Sequence, residues 1–385
     1  MEDKKRLFWV YALSSSIYFI QGIEGLPSQA LFYYLKEILN YSASRIMVLG
    51  SITTLTWLVK PPIGYIIDRF FTKRTWIYLA LLLDIFSVLV LGIWSLPVWS
   101  IILLLLINSS NSAFRDVSVD GIMCVEGKKY NLTGRIQSVQ WISISIASII
   151  VGIAGGYIAK KWDYKFAFLC LIPFYVLCGL TTFFYKEEKT EPEEKRYFIS
   201  DLKKLFSHKE LMIVALFIFL YKYSPSFGTP LFFIQRDVFK WDKVWIGFLG
   251  TLGSIFEIMG ALFYYKVSQK IKIKKWLFIS VFLGAITTLS YLYYTPITAV
   301  IYNILYSFIG MFIFIMVLDF MAKSTIKGLE ATSFAFLCSV SNLALTASQL
   351  SGAFLYPYVG LKWLIVISSF TSFLCLPLIS KIKEI

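Results

Sequence analysis

The chain has 385 residues, of which 58% are hydrophobic and only 16% are charged. Because soluble domains carry roughly a quarter charged residues, this chain has more apolar surface than a soluble core can bury. The composition excludes an ordinary soluble protein and predicts a polytopic, all-α membrane protein. The net charge of +14 is explained by basic residues in cytoplasmic loops, so we predict contact with the lipid bilayer and no nucleic-acid partner.

Residue types that carry enzyme and metal chemistry are sparse. The five cysteines include no CxxC pair and mostly lie in apolar segments, so we predict small core residues rather than disulfides or metal ligands. The single histidine, His208, lies in a charged linker, and neither an HExxH nor a GxxxxGKS/T motif is present. We therefore predict no enzyme activity, no metal site, no cofactor and no ATP-driven pumping.

Apolar runs long enough to cross a bilayer, about 20 residues each, occur twelve times along the chain. The first run directly follows a charged N-terminus without a signal-peptide cleavage site, so we expect it to be retained. Lys and Arg are concentrated in the segments that face inward if the N-terminus is inside, which predicts a cell-membrane protein with both termini cytoplasmic. The predicted spans are 7–25, 44–66, 75–95, 97–118, 134–158, 164–185, 211–234, 244–266, 275–294, 297–320, 331–356 and 361–380.

A charged, Pro-containing linker divides the spans into two sets of six. We predict an N-terminal six-helix half over 1–185, a cytoplasmic linker over 186–210 and a C-terminal six-helix half over 211–385. Within the linker, Phe198, Leu202, Leu205 and Phe206 have helical spacing, which predicts a short amphipathic helix on the membrane surface.

The two halves show internal similarity, because residues 64–74 resemble 260–270 and residues 134–156 resemble 328–352. A duplicated six-helix unit predicts a substrate path between the halves, near the middle of the membrane.

An unusually polar stretch follows the apolar run of the fourth span. Residues 113–127 read AFRDVSVDGIMCVEG, and they contain Arg115, Asp116 and Asp120. Ionic groups in or near hydrocarbon are costly and therefore face a bundle interior or a wet path. Asp116 and Asp120 share a helix face, so one of them is a candidate for proton coupling. The alternative is a gate or cap at the cytoplasmic end of the span.

The loop after the second span, GYIIDRFFTKR, resembles the loop motif of the major facilitator superfamily, although its usual second Gly is absent. The resemblance implies a twelve-helix transporter in two halves and a cytoplasmic gate. It assigns gate roles to Gly64, Asp68, Arg69 and Arg74. The alternative is a solvated loop that only follows the positive-inside rule.

Four further stretches in order resemble the folate–biopterin transporter family. They are residues 31–68, with their YYLK and WLVKPPIGYIID segments, DVSVDGIMCVEG, GRIQSVQW, and KGLEATSFAFLCSVSN. The resemblance implies a secondary transporter that moves folate or a pterin together with protons by alternating access. Other members move other solutes, so a drug, nucleoside or S-adenosylmethionine-like cargo remains an alternative, as does a receptor or scaffold without transport.

A folate site needs aromatic faces, amide or carboxylate partners for the ring edge and a cation for the carboxylate tail. Gln21 and Glu24 suit the ring edge, and Lys222 lies in a span interrupted by Pro and Gly, where transporter sites often occur. Helix packing and snorkelling are the alternatives for these polar residues. The candidate substrate-binding residues are Gln21, Glu24, Lys60, Arg115, Gln137, Gln140, Trp141, Lys222 and Asn342.

Three further carboxylates lie within predicted spans. Asp84 and Glu257 have no motif around them, although either is able to carry a coupling proton. Asp319 lies near the cytoplasmic end of the tenth span, where we expect a capping or gating role.

Overall fold

A computed structural model of the chain describes residues 2–41, 49, 56–57, 60–187, 198–241 and 243–382. Across these residues the regular elements are α-helices with short π-helical and 3₁₀ turns, and they include no strand. The predicted all-α class is therefore confirmed. Most of the predicted span over 44–66 lies outside the described residues.

The described residues of the first part of the chain form eight α-helices. The π-helical turn Tyr34–Ile38 continues directly from the second of them. The helices are α1 (Glu2–Ile23), α2 (Ser28–Tyr33), α3 (Lys60–Arg69), α4 (Lys73–Ile93), α5 (Val98–Tyr130), α6 (Thr133–Lys161), α7 (Tyr164–Leu169) and α8 (Ile172–Phe184).

The second part adds eight more helices among the described residues. The predicted amphipathic segment is helical, and it buries Leu205. A π-helical turn, Ile234–Val238, follows α11, and 3₁₀ turns at Tyr291–Tyr293 and Ser372–Cys375 follow α13 and α15. These helices are α9 (Phe198–Ser207), α10 (Lys209–Lys222), α11 (Gly228–Phe233), α12 (Lys243–Val267), α13 (Ile273–Ser290), α14 (Pro296–Lys323), α15 (Glu330–Thr371) and α16 (Leu376–Ile379).

Eight helical segments in the described part of the chain are long and apolar enough to cross a membrane. The last runs from Glu330 to Ile379 and covers two predicted spans, 331–356 and 361–380. Pro357 lies inside it, and Gly360 has a φ of 70°, so the helix is interrupted where the sequence separates the two spans. The described helices are consistent with the predicted twelve spans.

The fourth span is much longer than the expected 97–118, because α5 continues to Tyr130. Charged side chains do not end a helix when neighbouring helices satisfy them. The helix ends instead at Asn131, which has a φ of 52° and lies in the left-handed region that Asn tolerates. The polar stretch 113–127 is therefore entirely helical, and most of it is buried.

The contacts divide the chain into two compact units. The first comprises Met1–Pro192 together with Lys327–Ala335, and the second comprises Glu193–Ile326 with Phe336–Ile385. In the first unit α1 packs along α6 and α4 packs along α5, while in the second α12 packs along α14.

Both units contain a broken helix of the same design. In the first unit a turn follows α1, then come α2, the π-helical turn at Tyr34–Ile38 and the left-handed residue Asn40. In the second unit a turn follows α10, then come α11, the π-helical turn at Ile234–Val238 and the left-handed residue Lys240. The repeated conformation supports the internal duplication that the sequence indicates.

The break after α10 leaves backbone groups without helical hydrogen bonds, and serine residues of α15 supply partners for them. The backbone N–H of Ser226 donates to the Ser348 carbonyl at 2.9 Å. The hydroxyls of Ser348 and Ser368 donate to the carbonyls of Ser224 and Pro225. Without water in hydrocarbon these groups need internal partners, so the contacts explain how a broken helix is tolerated within a span.

We predict that Gly352→Ala destabilises the protein, because a Cβ at Gly352 would overlap the backbone of Ser226. Overpacking of this kind costs about 1–3 kcal/mol. The control is Gly250→Ala, since a Cβ there meets nothing within 4 Å. Thermal unfolding in detergent is expected to show a lower midpoint for the first variant and an unchanged or higher one for the second. Equal midpoints would contradict the close approach.

Candidate functional site

A buried arginine is the centre of the polar cluster in the first unit. Arg115, on α5, is 1% exposed and forms an ion pair with Glu24 at the end of α1. Its Nε lies 3.1 Å from Oδ2 of Asp84 on α4, and its guanidinium lies 5.4 Å from the ring centre of Tyr175 on α8. A buried cation without such partners would be strongly destabilising, so these contacts join four helices of the unit.

Asp84 is a functional candidate for which the sequence supplied no motif. Its side chain is fully buried, and its Oδ1 accepts a hydrogen bond from Nδ2 of Asn111 at 2.9 Å. Asn111 and Arg115 are four residues apart on α5 and therefore present a donor and a cation on one face. The spacing of Asn111 and Arg115 could therefore have predicted that a carboxylate from another helix faces them.

Glu24 receives three donors and still reaches open space. Its carboxylate accepts from the hydroxyls of Ser112 and Tyr175, each at 2.9 Å, and it pairs with Arg115. The Glu24 side chain is 19% exposed, whereas those of Arg115 and Asp84 are buried. Glu24 is thus the carboxylate of this network that is exposed to open space.

Glu24 lines an open cavity of about 430 Å³ within the first unit. Gln21 lines it too, and its buried Oε1 has no hydrogen-bond partner among the described residues. An unsatisfied buried acceptor beside a cavity is suited to a ligand N–H donor. The rest of the wall includes hydroxyl, amide and aromatic groups, among them Trp57, Phe32, Asn108, Ser109, Ser112 and Tyr175.

A second buried ion pair lies next to this network on α5. Nζ of Lys60 donates to Oδ2 of Asp116 at 2.7 Å, and it lies 4.6 Å from the ring centre of Trp57. The Lys60 and Asp116 side chains are 11% and 5% exposed. Neither is among the residues that line the 430 Å³ cavity, although Trp57 is.

Asp120, one turn further along α5, is held by neutral donors. Its Oδ1 accepts from the hydroxyl of Tyr18 at 2.9 Å and from Nε2 of Gln140 at 3.4 Å. Asp116 and Asp120 therefore share a face, as expected for a helix, but have different partners. Lys60 forms its salt bridge with Asp116. Of these two aspartates, Asp120 is therefore the one without a salt bridge in the described structure.

Gln137, Gln140 and Trp141 on α6 are not among the residues that line the cavity. Both glutamine side chains are fully buried, and Gln140 binds Asp120, whereas Nε2 of Gln137 points at Sδ of Met123 at 3.6 Å. The Trp141 ring packs edge-on against Tyr18, with ring centres 6.2 Å apart. Gln140 is therefore the candidate that contacts the carboxylate, and Trp141 lies against its tyrosine donor.

The candidate gate residues separate into two groups. Asp68 accepts from the backbone N–H and the hydroxyl of Thr332, at 2.8 and 2.7 Å, and lies 3.7 Å from Nζ of Lys73. Gly64 packs so closely that a Cβ would lie 2.9 Å from the Ala331 carbonyl oxygen. Arg69, by contrast, is exposed, and Arg74 donates to the Phe183 carbonyl at 2.8 Å.

Asp68 therefore binds the first turn of α15, and its cation is Lys73 rather than Arg69 or Arg74. A carboxylate at a helix N-terminus is stabilised by the free N–H groups and the helix dipole. Burial raises the pKa of Asp68, which lies beyond the predicted span 44–66, although Lys73 and Thr332 lower it. The carboxylate is therefore held by a few specific contacts against a large desolvation cost.

The remaining candidates lie in the second unit. Lys222, at the end of α10, lines a separate cavity of about 310 Å³, and its Nζ lies 5.0 Å from the ring centre of Phe314. Asn342 lies on α15 and is exposed, and Glu257 is partly buried on α12. Asp319 is buried and accepts from the hydroxyl of Tyr264 at 2.8 Å, with Lys323 at 3.2 Å.

Solved transporter structures share this fold. The chain superposes on the human organic anion transporter TETRAN with a TM-score of 0.72 and 16% identity, covering 98% of this chain and 100% of that one. It superposes on the fucose:proton symporter of E. coli with a TM-score of 0.76 and 11% identity, covering 97% and 98%. The fold is therefore that of a major facilitator transporter, a multi-pass membrane protein.

The sequence identifies the family within that class. Residues 21–384 match the model of the BT1 family, so the chain belongs to the BT1 family. It is 25% identical to the folate-biopterin transporter of Synechocystis sp. over 398 residues, which covers 96% of this chain and 81% of that protein. It is 24% identical to folate transporter 1 of Plasmodium falciparum, covering 93% and 76%.

We predict that Arg115→Leu strongly destabilises the first unit, because the change leaves Glu24 and Asp84 buried without their cation. Breaking a buried pair in this way costs about 3–5 kcal/mol. The control is Arg69→Leu, because Arg69 is exposed. Thermal unfolding in detergent measures both. A midpoint for Arg115→Leu as high as that of Arg69→Leu would show that the network does not hold the unit together.

Proposed function

We propose that the protein is a secondary transporter that moves folate- or pterin-type solutes by alternating access, not an enzyme. The family membership, the names of the relatives and the transporter fold support this proposal. The observation that carries it is Glu24, a carboxylate fixed by a buried arginine and exposed to a cavity beside an unsatisfied amide oxygen. We place the protein in the cell membrane with both termini cytoplasmic, as the basic segments indicate.

The chemistry of the cavity suits the edge of an amino-pyrimidine ring. Such an edge presents neighbouring N–H donors, and a carboxylate is able to accept two of them in parallel. Glu24 supplies the carboxylate and Gln21 supplies a further acceptor. The rings of Trp57, Phe32 and Tyr175 offer apolar faces for a flat heterocycle, and 430 Å³ lies in the range of ligand pockets.

The cytoplasmic gate is assigned to Asp68, Lys73 and Gly64. Asp68 holds the start of α15, and Gly64 allows the close approach that this contact requires. Opening this side of the transporter then requires the Asp68 carboxylate to leave Thr332. Arg74 supports the gate indirectly by fixing the start of α4 to Phe183, and Arg69 stays in solvent.

Asp120 is the preferred proton-coupling group of the predicted pair. Asp116 already has Lys60 as a counter-ion, so a proton on Asp116 would take the place of a salt bridge. Asp120 is 5% exposed and is bound by a tyrosine hydroxyl and an amide, so a neutral, protonated state is accommodated at low cost. A proton on Asp120 changes the charge inside the first unit without breaking a salt bridge.

We predict that Glu24→Gln lowers uptake of folate or biopterin into proteoliposomes by at least about tenfold, because one charge-assisted hydrogen-bond acceptor is lost. The matched control is Glu37→Gln, which changes an exposed glutamate on the π-helical turn of the same unit. Uptake of labelled solute measures both variants. Equal uptake by Glu24→Gln and wild type would refute the site, and binding without uptake by the wild type would favour a receptor.

We predict that an inward proton gradient stimulates uptake and that Asp120→Asn abolishes this stimulation. Exchange of labelled for unlabelled solute without a gradient should persist in the variant, since the neutral side chain mimics the protonated acid. Asp237→Asn, an exposed change on the second π-helical turn, should keep the gradient response. Gradient-driven uptake by Asp120→Asn at the wild-type level would remove the assignment of Asp120.

A further inference from the structure

We infer that the second unit contains a binding site for a small aromatic carboxylate, with Lys222 as its cation. The site is separate from the Glu24 cavity and requires binding alone, so it stands or falls independently of transport. Its observations are a partly buried cation without a carboxylate within ion-pair distance among the described residues, a cavity beside it, and hydroxyl and aromatic groups in the cavity wall.

Lys222 differs from the other lysines and arginines buried within the helices. Arg115 has Glu24 and Asp84, Lys60 has Asp116, and Lys323 has Asp319. No carboxylate lies within ion-pair distance of Lys222 in the part of the chain that the structure describes, and its Nζ contacts the face of Phe314. Burying an ammonium group without a counter-ion is costly, so an anion from outside the chain would relieve the cost.

The cavity at Lys222 has room for that anion. It measures about 310 Å³, and no acidic residue is among those that line it. Thr288 places a hydroxyl in the wall, and a hydroxyl donor complements an ammonium group in binding a carboxylate. The hydroxyls of Thr287 and Ser280 also line the wall, but they donate to the carbonyls of Gly284 and Leu277.

The aromatic part of the ligand is inferred from two tyrosines in the same wall. Tyr291 and Tyr306 line the cavity, with ring centres 5.6 Å apart and an angle of 52° between the rings. The hydroxyl of Tyr306 is engaged with Ser290, so this residue offers mainly its ring. The apolar residues Val281, Leu283 and Ile309 complete a surface that suits a flat hydrocarbon ring.

A carboxylate fits better than a phosphate. The cavity offers one lysine and no arginine, and a phosphate group usually requires a bidentate arginine, several cations or a helix N-terminus. Phosphate is therefore included in the test as a competing ligand.

Calorimetric titration of the full-length protein in detergent tests the proposal with benzoate, benzamide, cyclohexanecarboxylate and phosphate. Benzoate should bind the wild type, benzamide should bind at least about tenfold more weakly because it lacks the charge, and the other two should also be weaker. Lys222→Met should lose benzoate binding by at least about tenfold, and Lys222→Arg should retain part of it. The control Lys270→Met, an exposed change in the same unit, should bind as the wild type does.

Thermal unfolding separates a ligand-binding lysine from a structural one. Without ligand, Lys222→Met should unfold at the same or a higher temperature, because it removes an uncompensated buried charge. With benzoate, only proteins that keep Lys222 should gain stability. Equal binding of benzoate and benzamide, unchanged affinity in Lys222→Met, tighter binding of phosphate, or a lower midpoint of unliganded Lys222→Met would each overturn the inference.

Discussion

The buried guanidinium of Arg115 is the constraint on which the first unit depends. An arginine that is 1% exposed keeps its charge, so two carboxylates from two other helices must face it. Meeting that requirement fixes α1, α4 and α5 against one another and brings Tyr175 of α8 over the charge. It also decides which carboxylate faces the cavity, because Glu24 is partly exposed and Asp84 is enclosed.

The broken helix occurs in both units, and a comparison of the two copies shows which features they share and which differ. Both copies keep the same sequence of turn, short helix, π-helical turn and left-handed residue. The backbone at the two breaks is satisfied differently, by local turns after α1 and by Ser348 and Ser368 after α10. The charges also differ, because Glu24 lies at the first break and Lys222 at the second. The two charges lie at different positions of this common conformation, Glu24 in the turn after α1 and Lys222 as the last residue of α10.

Hydropathy and charge predicted the class, the helices and most of the expensive polar residues, because the length of an apolar run and the cost of an ion in hydrocarbon are local properties. Which charged residues contact each other is not a local property, because the partners come from different parts of the chain. Asp84 lacked a motif although it faces Arg115, and Lys73 rather than Arg69 or Arg74 faces Asp68. The length of α5 was also underestimated, since charged residues end a span in a hydropathy profile but do not end a helix whose neighbours satisfy them.

The two cavities carry opposite charges, so each favours its own class of ligand. A pterin ring presents donors at its amino-pyrimidine edge, and this chemistry matches Glu24 and Gln21 of the first unit. Lys222 of the second unit has no carboxylate within ion-pair distance in the part of the chain that the structure describes. An ammonium group without a counter-ion is costly to keep. The charge at Lys222 therefore favours an anionic ligand in the second unit, and this argument does not depend on what the first unit binds.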